Sequence, residues 1–227
     1  MLSKKAILIY VVIVVVIAAV GIYRFLNRGE ELPIAPQVTV QQKKERFRQL
    51  LVPAVTTVYA DLFDQYLSVV AQLESGESNN RIAELKKKYR VDSDTELLMA
   101  LKPVPKSIAL AQAAIESSWA TSRFFTVANN VFGVWSFNED EPRVAALKKR
   151  GDKSVWVKKY PSIKASVADY YLTLGRSSAF KEFRQLNMVS DDPFKLVEKL
   201  DRYSERGEHY GKELAAVIRY NKFTDYD

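Results

Sequence analysis

Residues 107–121, SIALAQAAIESSWAT, hold a single ionisable side chain, Glu116, in a run otherwise apolar or small. A helix that is apolar nearly all round is a buried helix. A carboxyl placed there keeps its proton above the ordinary carboxylate range unless it is paired, and a protonated carboxyl near neutral pH is what a general acid requires. Two readings of Glu116 stand on the residues alone. One is a proton donor; the other is a structural glutamate, paired with Arg123 seven residues on or hydrogen-bonded to Gln112 four residues back. The remaining composition narrows the chemistry further. The chain has no Cys and one His, His209, which excludes a cysteine nucleophile, a disulfide framework, a cysteine zinc site and a three-histidine metal centre. A Ser-His-Asp triad would have to use His209, which sits in a polar run. Carboxylates, hydroxyls, amides, Lys and Arg are left to carry any reaction, and no metal or cofactor is expected.

These groups need elements to hold them, and most of the 227 residues carry a helical period. Between 43 and 74 the apolar positions Phe47, Leu50, Leu51, Val55, Val58, Leu62, Tyr66 and Val69 recur at three- and four-residue spacing, with an interruption at Pro53. A loop at 74–80 precedes a polar, basic helix at 81–90, and the S-x-x-E pattern at Ser93 opens a helix through Lys102. Pro103 and Pro105 end that element and start the helix that carries Glu116, which the pattern extends to about Trp119. Between Phe132 and Tyr160 the character changes. VWSF at 134–137 and SVWVKKY at 154–160 are β-prone and separated by a charged loop, so a small hairpin is expected. Pro161-Ser162 opens a helix to about Leu174, and shorter helices are expected near 177–187, 192–201 and 207–221.

The net charge of +7 is confined to two segments. Residues 1–28 hold Lys4, Lys5, Arg24 and Arg28 and no acid, and residues 138–160 hold seven bases and four acids; 29–137 and 161–227 are each balanced. That partition removes the support a basic composition would lend to a nucleic-acid binder, and no nucleic acid is expected as partner. Residues 6–23, AILIYVVIVVVIAAVGIY, are uncharged, and as a helix rising about 1.5 Å per residue they nearly match a hydrocarbon core of roughly 30 Å. The run is longer than a signal-peptide core, so an uncleaved single-pass anchor is expected. The division is then 1–28 as cytoplasmic tip and anchor, 29–42 with Pro33 and Pro36 as tether, and 43–227 as the folded domain.

The segment LAQAAIESSW at 110–119, followed by ANNVFG at 128–133, resembles the signature of glycoside hydrolase family 73, the peptidoglycan N-acetylglucosaminidases, and within it the Bax-like branch. The resemblance continues through Tyr160-Pro-Ser162 with Ser166, Asp169, Tyr170 and Leu174, and through the run at 200–221 that ends Ile218-Arg-Tyr-Asn221. It covers 103–224. It implies an α+β, mostly helical, lysozyme-like fold with a small β-hairpin lobe, a cleft between the lobes, and Glu116 as proton donor to the glycosidic oxygen. A second carboxylate is usual for such hydrolysis, and Glu139, Asp140 and Glu141 in the hairpin are the candidates, each with the alternative of a solvated loop residue. Tyr160, Tyr203 and Tyr210 fall on family-matched positions. Trp135 and Trp156 lie on the expected hairpin, where each can stack on sugar or pack in the core. Asn130, Phe132 and Gly133 fall at the cleft floor, so the substrate-binding set is Asn130, Phe132, Trp135, Tyr160, Tyr203 and Tyr210. One departure stands out: the family often has Gly where this chain has Ser118 and Ala120.

The resemblance therefore implies cleavage of the β-1,4 bond after N-acetylglucosamine in peptidoglycan glycan strands, by a domain on the periplasmic side of the inner membrane. A lytic transglycosylase of the same fold, or a non-catalytic peptidoglycan-binding envelope protein, are the alternatives.

Overall fold

The computed structural model describes residues 38–76, 80–147 and 154–227. The apolar run 6–23 and its anchor assignment, most of the tether, and the basic residues 148–153 lie outside the described residues. Among those described, no helix is long and apolar enough to cross a membrane. Thr39–Asp227 form one compact unit.

The unit is mostly helical, with one two-stranded sheet. Helix α1 (Val40–Glu74) opens three residues ahead of the domain start read from the sequence, because Thr39 and Gln42 form a reciprocal capping box. It runs on through Pro53 without a break. Pro53 and Gln49, whose carbonyl loses its partner four residues on, are both exposed, and the helix tolerates the proline. At about 1.5 Å per residue α1 is about 50 Å long and serves two clusters of buried side chains. Its first half sends Phe47, Leu51, Val55 and Val58 into the main core, and Val69 joins Ile82, Leu85, Tyr89, Leu97 and Leu101 in a second. The last three elements of that second cluster are α2 (Asn80–Tyr89), α3 (Asp94–Leu101), whose N-cap Ser93 accepts from Glu96 N–H, and α6 (Ile163–Arg176). Gly175 of α6 is required there: a Cβ at that position would stand 2.6 Å from Ala100 O and 2.8 Å from the Tyr89 ring.

Helix α4 (Lys106–Glu116) is the centre of the main core. Every residue from Ser107 to Ala114 is buried, as its composition requires, and it packs against α1, α9 (Glu208–Asn221) and the closing 3-10 turn Phe223–Tyr226. The helix ends at Glu116, not at Trp119. A short α5 (Arg123–Ala128), capped by Ser122, follows; the sequence reading had no helix here.

The small sheet pairs β1 (Arg143–Ala145) with β2 (Trp156–Lys158) antiparallel, with Val144 opposite Val157. The first expected strand, 134–137, is therefore not the sheet partner. Trp135 makes an isolated bridge to Val157 on its other side, supported by Ser136 N–H to Trp156 O (2.8 Å) and Lys158 N–H to Val134 O (3.0 Å). The remaining helices are α7 (Lys181–Val189) and α8 (Pro193–Leu196), joined to α9 by 3-10 turns at Val197–Lys199 and Asp201–Tyr203.

Candidate active site

Glu116 stands half-buried at the last position of α4. Among the described residues its carboxylate receives one hydrogen bond, from the Tyr210 hydroxyl to Oε1 at 2.8 Å. Neither partner weighed in the structural reading is used directly: Arg123 donates to Ala145 O at 2.9 Å, and Gln112 reaches Glu116 only by way of Tyr210. Behind Tyr210 lies a polar chain inside the core. Gln112 Nε2 donates to the Tyr210 oxygen (3.2 Å), and the Tyr170 hydroxyl donates to Gln112 Oε1 (2.6 Å); all three residues are buried. Aromatic packing holds this chain in place. Tyr203 lies parallel to Tyr210 with centroids 5.6 Å apart and meets Tyr170 edge-on, while Phe132 stacks on Tyr170 at 4.1 Å.

Burial raises the Glu116 pKa above its ordinary value. The Tyr210 hydrogen bond and the nearby Arg206 charge pull it back, and Glu213 pushes it up again. Burial dominates, so the carboxyl favours its proton. Arg206 and Glu213 form an ion pair, and the Arg206 guanidinium sits over the Tyr210 ring at 5.3 Å. Burial likewise raises Tyr203 and Tyr210, which keeps their hydroxyls protonated donors.

The backbone leaving Glu116 explains why the helix stops there. Ser118, Trp119 and Ala120 have φ of 52°, 61° and 61°, three consecutive left-handed residues with a Cβ. Glycine adopts that conformation without strain, so the two glycine-for-serine and glycine-for-alanine departures fall on backbone that would welcome glycine. Hydrogen bonds hold the turn instead. Ser117 Oγ donates to Ala113 O (2.6 Å) and accepts from Ala120 N–H (2.8 Å), and Trp119 N–H donates to Ala114 O (2.8 Å). Trp119 packs at the edge of the core, 5.2 Å from Phe47, with the Lys44 ammonium over its ring.

The other expected site residues divide between exposed positions and buried framework. Asn130 is buried and spends its amide on the backbone: Nδ2 donates to Val134 O and Lys158 O, and Oδ1 accepts from Val134 N–H. It thereby ties the segment after α5 to β2. Phe132 is buried against Tyr170, and Gly133 takes φ 67° between them and the hairpin. Tyr160 is buried with its hydroxyl donating to Asp169 Oδ2 at 2.6 Å. Trp135 is 42% exposed and lies beside Phe137, which is 85% exposed. Trp156 carries the Arg143 guanidinium over its ring at 4.4 Å. His209 is exposed.

The three hairpin acids differ in setting. Glu139 is exposed and paired with Arg143 (3.0 Å), and Asp140 is exposed in the turn, its N–H bonded to Asn138 Oδ1. Glu141 is half-buried; it accepts from Ser136 Oγ at 2.7 Å and lies 3.6 Å from the Lys158 ammonium, which is also 3.4 Å from Asp169. Sequence reasoning did not single out Arg206, Glu213, Ser136 or Lys158. Arg206 lies in the loop ahead of α9 and Glu213 within α9, so only their opposite charges seven residues apart were there to be read. Among the described residues there is no cluster of three or more His, Asp or Glu side chains able to hold a metal ion.

The family model for glucosaminidase, described as mannosyl-glycoprotein endo-beta-N-acetylglucosaminidase, matches residues 93–223, a span that includes Glu116, Tyr203 and Tyr210. The chain is 25% identical over 198 residues to Protein bax of Escherichia coli (strain K12), covering 79% of this chain and 70% of the relative. Among solved structures, the catalytic domain of the autolysin Auto from Listeria monocytogenes aligns with 20% identity and a TM-score of 0.49, over 85% of this chain and all of that one. The peptidoglycan hydrolase from Sphingomonas sp. A1 aligns with 20% identity and a TM-score of 0.44, over 63% and 85%. With more than half its length matched by the family model, the chain belongs to the glucosaminidase family and is a glycoside hydrolase of the endo-β-N-acetylglucosaminidase type.

Proposed function

We propose that this protein is a peptidoglycan hydrolase that cleaves the β-1,4 bond following N-acetylglucosamine, with Glu116 as general acid on a lysozyme-like fold. The observation that carries the assignment is the Glu116 carboxyl itself: half-buried at the end of a buried helix, held at one oxygen by Tyr210, and raised in pKa by its burial. Such a group holds a proton at a pH where exposed carboxylates have lost theirs, and it can deliver that proton to the leaving sugar oxygen as the bond breaks. Family membership supplies the N-acetylglucosamine linkage, and the relatives' names, an autolysin and a peptidoglycan hydrolase among them, supply the wall polymer as the substrate to test.

Of the hairpin acids we assign the second carboxylate to Glu141, because it alone is half-buried and fixed by Ser136 and Lys158, whereas Glu139 and Asp140 face solvent. An exposed aromatic pair, Trp135 and Phe137, offers a flat surface for sugar rings. Residues 6–23 anchor the enzyme in the inner membrane, and the catalytic unit works on the periplasmic side, where its polymer lies.

The deciding experiment is digestion of purified sacculi by the full chain, wild type against Glu116→Gln, with the products read by mass spectrometry. Reducing N-acetylglucosamine ends, released by the wild type and reduced about 100-fold or more in the variant, support the reading. 1,6-Anhydro-muramyl ends would make it a lytic transglycosylase. Undiminished cleavage by Glu116→Gln would remove Glu116 from the chemistry. Glu141→Gln completes the set: full activity in that variant would remove Glu141 as the second participant.

A further inference from the structure

The polar chain behind Glu116 has a direction, and one residue sets it. The Tyr170 hydroxyl is buried, and among the described residues it bonds only to Gln112. If the Gln112 amide turned over, its Nε2–H would face the Tyr170 oxygen and the Tyr170 proton would be left without an acceptor inside the core. An orphaned buried donor carries its full desolvation cost, so the amide is held with Oε1 toward Tyr170 and Nε2 toward Tyr210. Tyr210 then accepts from Gln112, and its own single proton has one place to go: Glu116 Oε1, at 2.8 Å.

We propose that Gln112, held by Tyr170, is a positioning residue that fixes Tyr210 as a one-way donor to Glu116 Oε1 and so keeps the transferable proton on Oε2. This inference rests on Glu116 being the general acid. Oε2 makes no hydrogen bond among the described residues. In the reaction its proton passes to the glycosidic oxygen, the electron pair of the breaking carbon–oxygen bond goes to that same oxygen, and the carboxylate left behind already has a donor aimed at Oε1. Without the fixed polarity, Tyr210 could turn its lone pair toward Glu116, and the carboxyl proton could settle on Oε1, away from substrate. Each arrangement also changes the balance between the two charge states. A Tyr210 that donates favours the carboxylate, and a Tyr210 free to accept favours the acid.

The groups that face Glu116 are Tyr210 and Glu213 of α9, Arg206 of the loop before it, and Tyr203 of the preceding 3-10 turn. None of them changes in Gln112→Met, which keeps the length of the side chain and removes its amide. On soluble glycan strands with the full chain, this variant is expected to lose about 10-fold in kcat with KM within about twofold, the kinetic counterpart of weakening one charge-assisted hydrogen bond. Its alkaline pH limb is expected to move upward. A purely structural role for Gln112 would lower the amount of folded enzyme or kcat and leave that limb where it was. Tyr170→Phe, which removes only the hydroxyl that orients the amide, should move the limb the same way by less, and it stands in if Gln112→Met does not fold. In a Tyr210→Phe background, Gln112→Met should produce no further movement. An unmoved limb in both single variants, or an equal shift without the Tyr210 hydroxyl, overturns the proposal while leaving Glu116 as acid. Activity in Glu116→Gln overturns the underlying reading instead.

Discussion

Around Glu116, two oppositely charged neighbours act on one proton. Arg206 lowers the Glu116 pKa and Glu213 raises it, and the two are themselves paired. Removing the guanidinium in Arg206→Gln is expected to move the alkaline limb of activity upward, both because the attraction is lost and because Glu213 then acts unopposed. Glu213→Gln is expected to move it downward; a pH–rate profile of the two variants checks the opposed signs. The same proton has a thermodynamic counterpart. A carboxyl whose folded pKa is raised above its unfolded value of 4.5 contributes its stability below that value, and loses it as pH rises through the folded pKa. Glu116→Gln cannot ionise, so the variant should be inactive yet more stable than wild type at neutral pH. Urea titrations at pH 7 and below pH 4 check this: the difference should close in acid, where both side chains are neutral. Glu116 stood out in the sequence as a lone charge on an apolar helix. Its partner did not, because Tyr210 is 94 residues away and only the packing of α9 on α4 brings the two together. Gln112, at the same helical face four residues back, was visible as a neighbour but its link through Tyr210 was not.

Among the elements, the turn after α4 carries the local strain. A residue with a Cβ in the left-handed region costs about 1–2 kcal/mol, and glycine relieves that cost while returning about 0.5–1 kcal/mol through the entropy of the unfolded chain. Ser118 is exposed, so Ser118→Gly should gain up to about 1 kcal/mol, seen as a higher Tm. Ala120 is 2% exposed, and glycine there also gives up a buried methyl worth about 0.8 kcal/mol, so Ala120→Gly should be near neutral. The opposite end of α4 depends on a distant cap. Its N-cap position, Pro105, makes no side-chain bond, and Ser107 N–H donates to Asp227 Oδ1 at 2.7 Å. Asp227→Ala should cost about 0.5–2 kcal/mol, the usual loss for a cap, by the same thermal measurement. Periodicity and cap residues made α2, α3, α6 and α9 legible. The strand at 143–145 and the helix at 123–128 were not, since one is three residues long and the other six, and both are defined by what they touch: β2 for the strand, the Ser117–Ser122 turn and β1 for the helix.

Across the whole molecule, the charge excess can be placed more narrowly than composition allowed. Residues 138–147 and 154–160 hold three acids and three bases and so carry no net charge; Arg143 pairs with Glu139, and Lys158 with Glu141 and with Asp169. The hairpin's excess of three therefore belongs to 148–153, which has Lys148, Lys149, Arg150 and Lys153 against Asp152. Acidic substituents on peptidoglycan are the partner such an excess of positive charge attracts if the proposed substrate is right. The attraction is long-ranged only at low ionic strength, where the Debye length is about 30 Å at 0.01 M, against about 3 Å at 1 M. Replacing Lys148, Lys149 and Arg150 with Gln should then weaken binding to purified sacculi at 0.01 M salt and leave it unchanged at 1 M. It should also leave the pH limb of Glu116 in place, because that limb is set by burial first and then by Tyr210, Arg206 and Glu213. Co-sedimentation with sacculi at the two salt concentrations reads the first effect and the pH–rate profile the second. Equal binding by both proteins at low salt would mean that the segment does not contribute to holding the polymer.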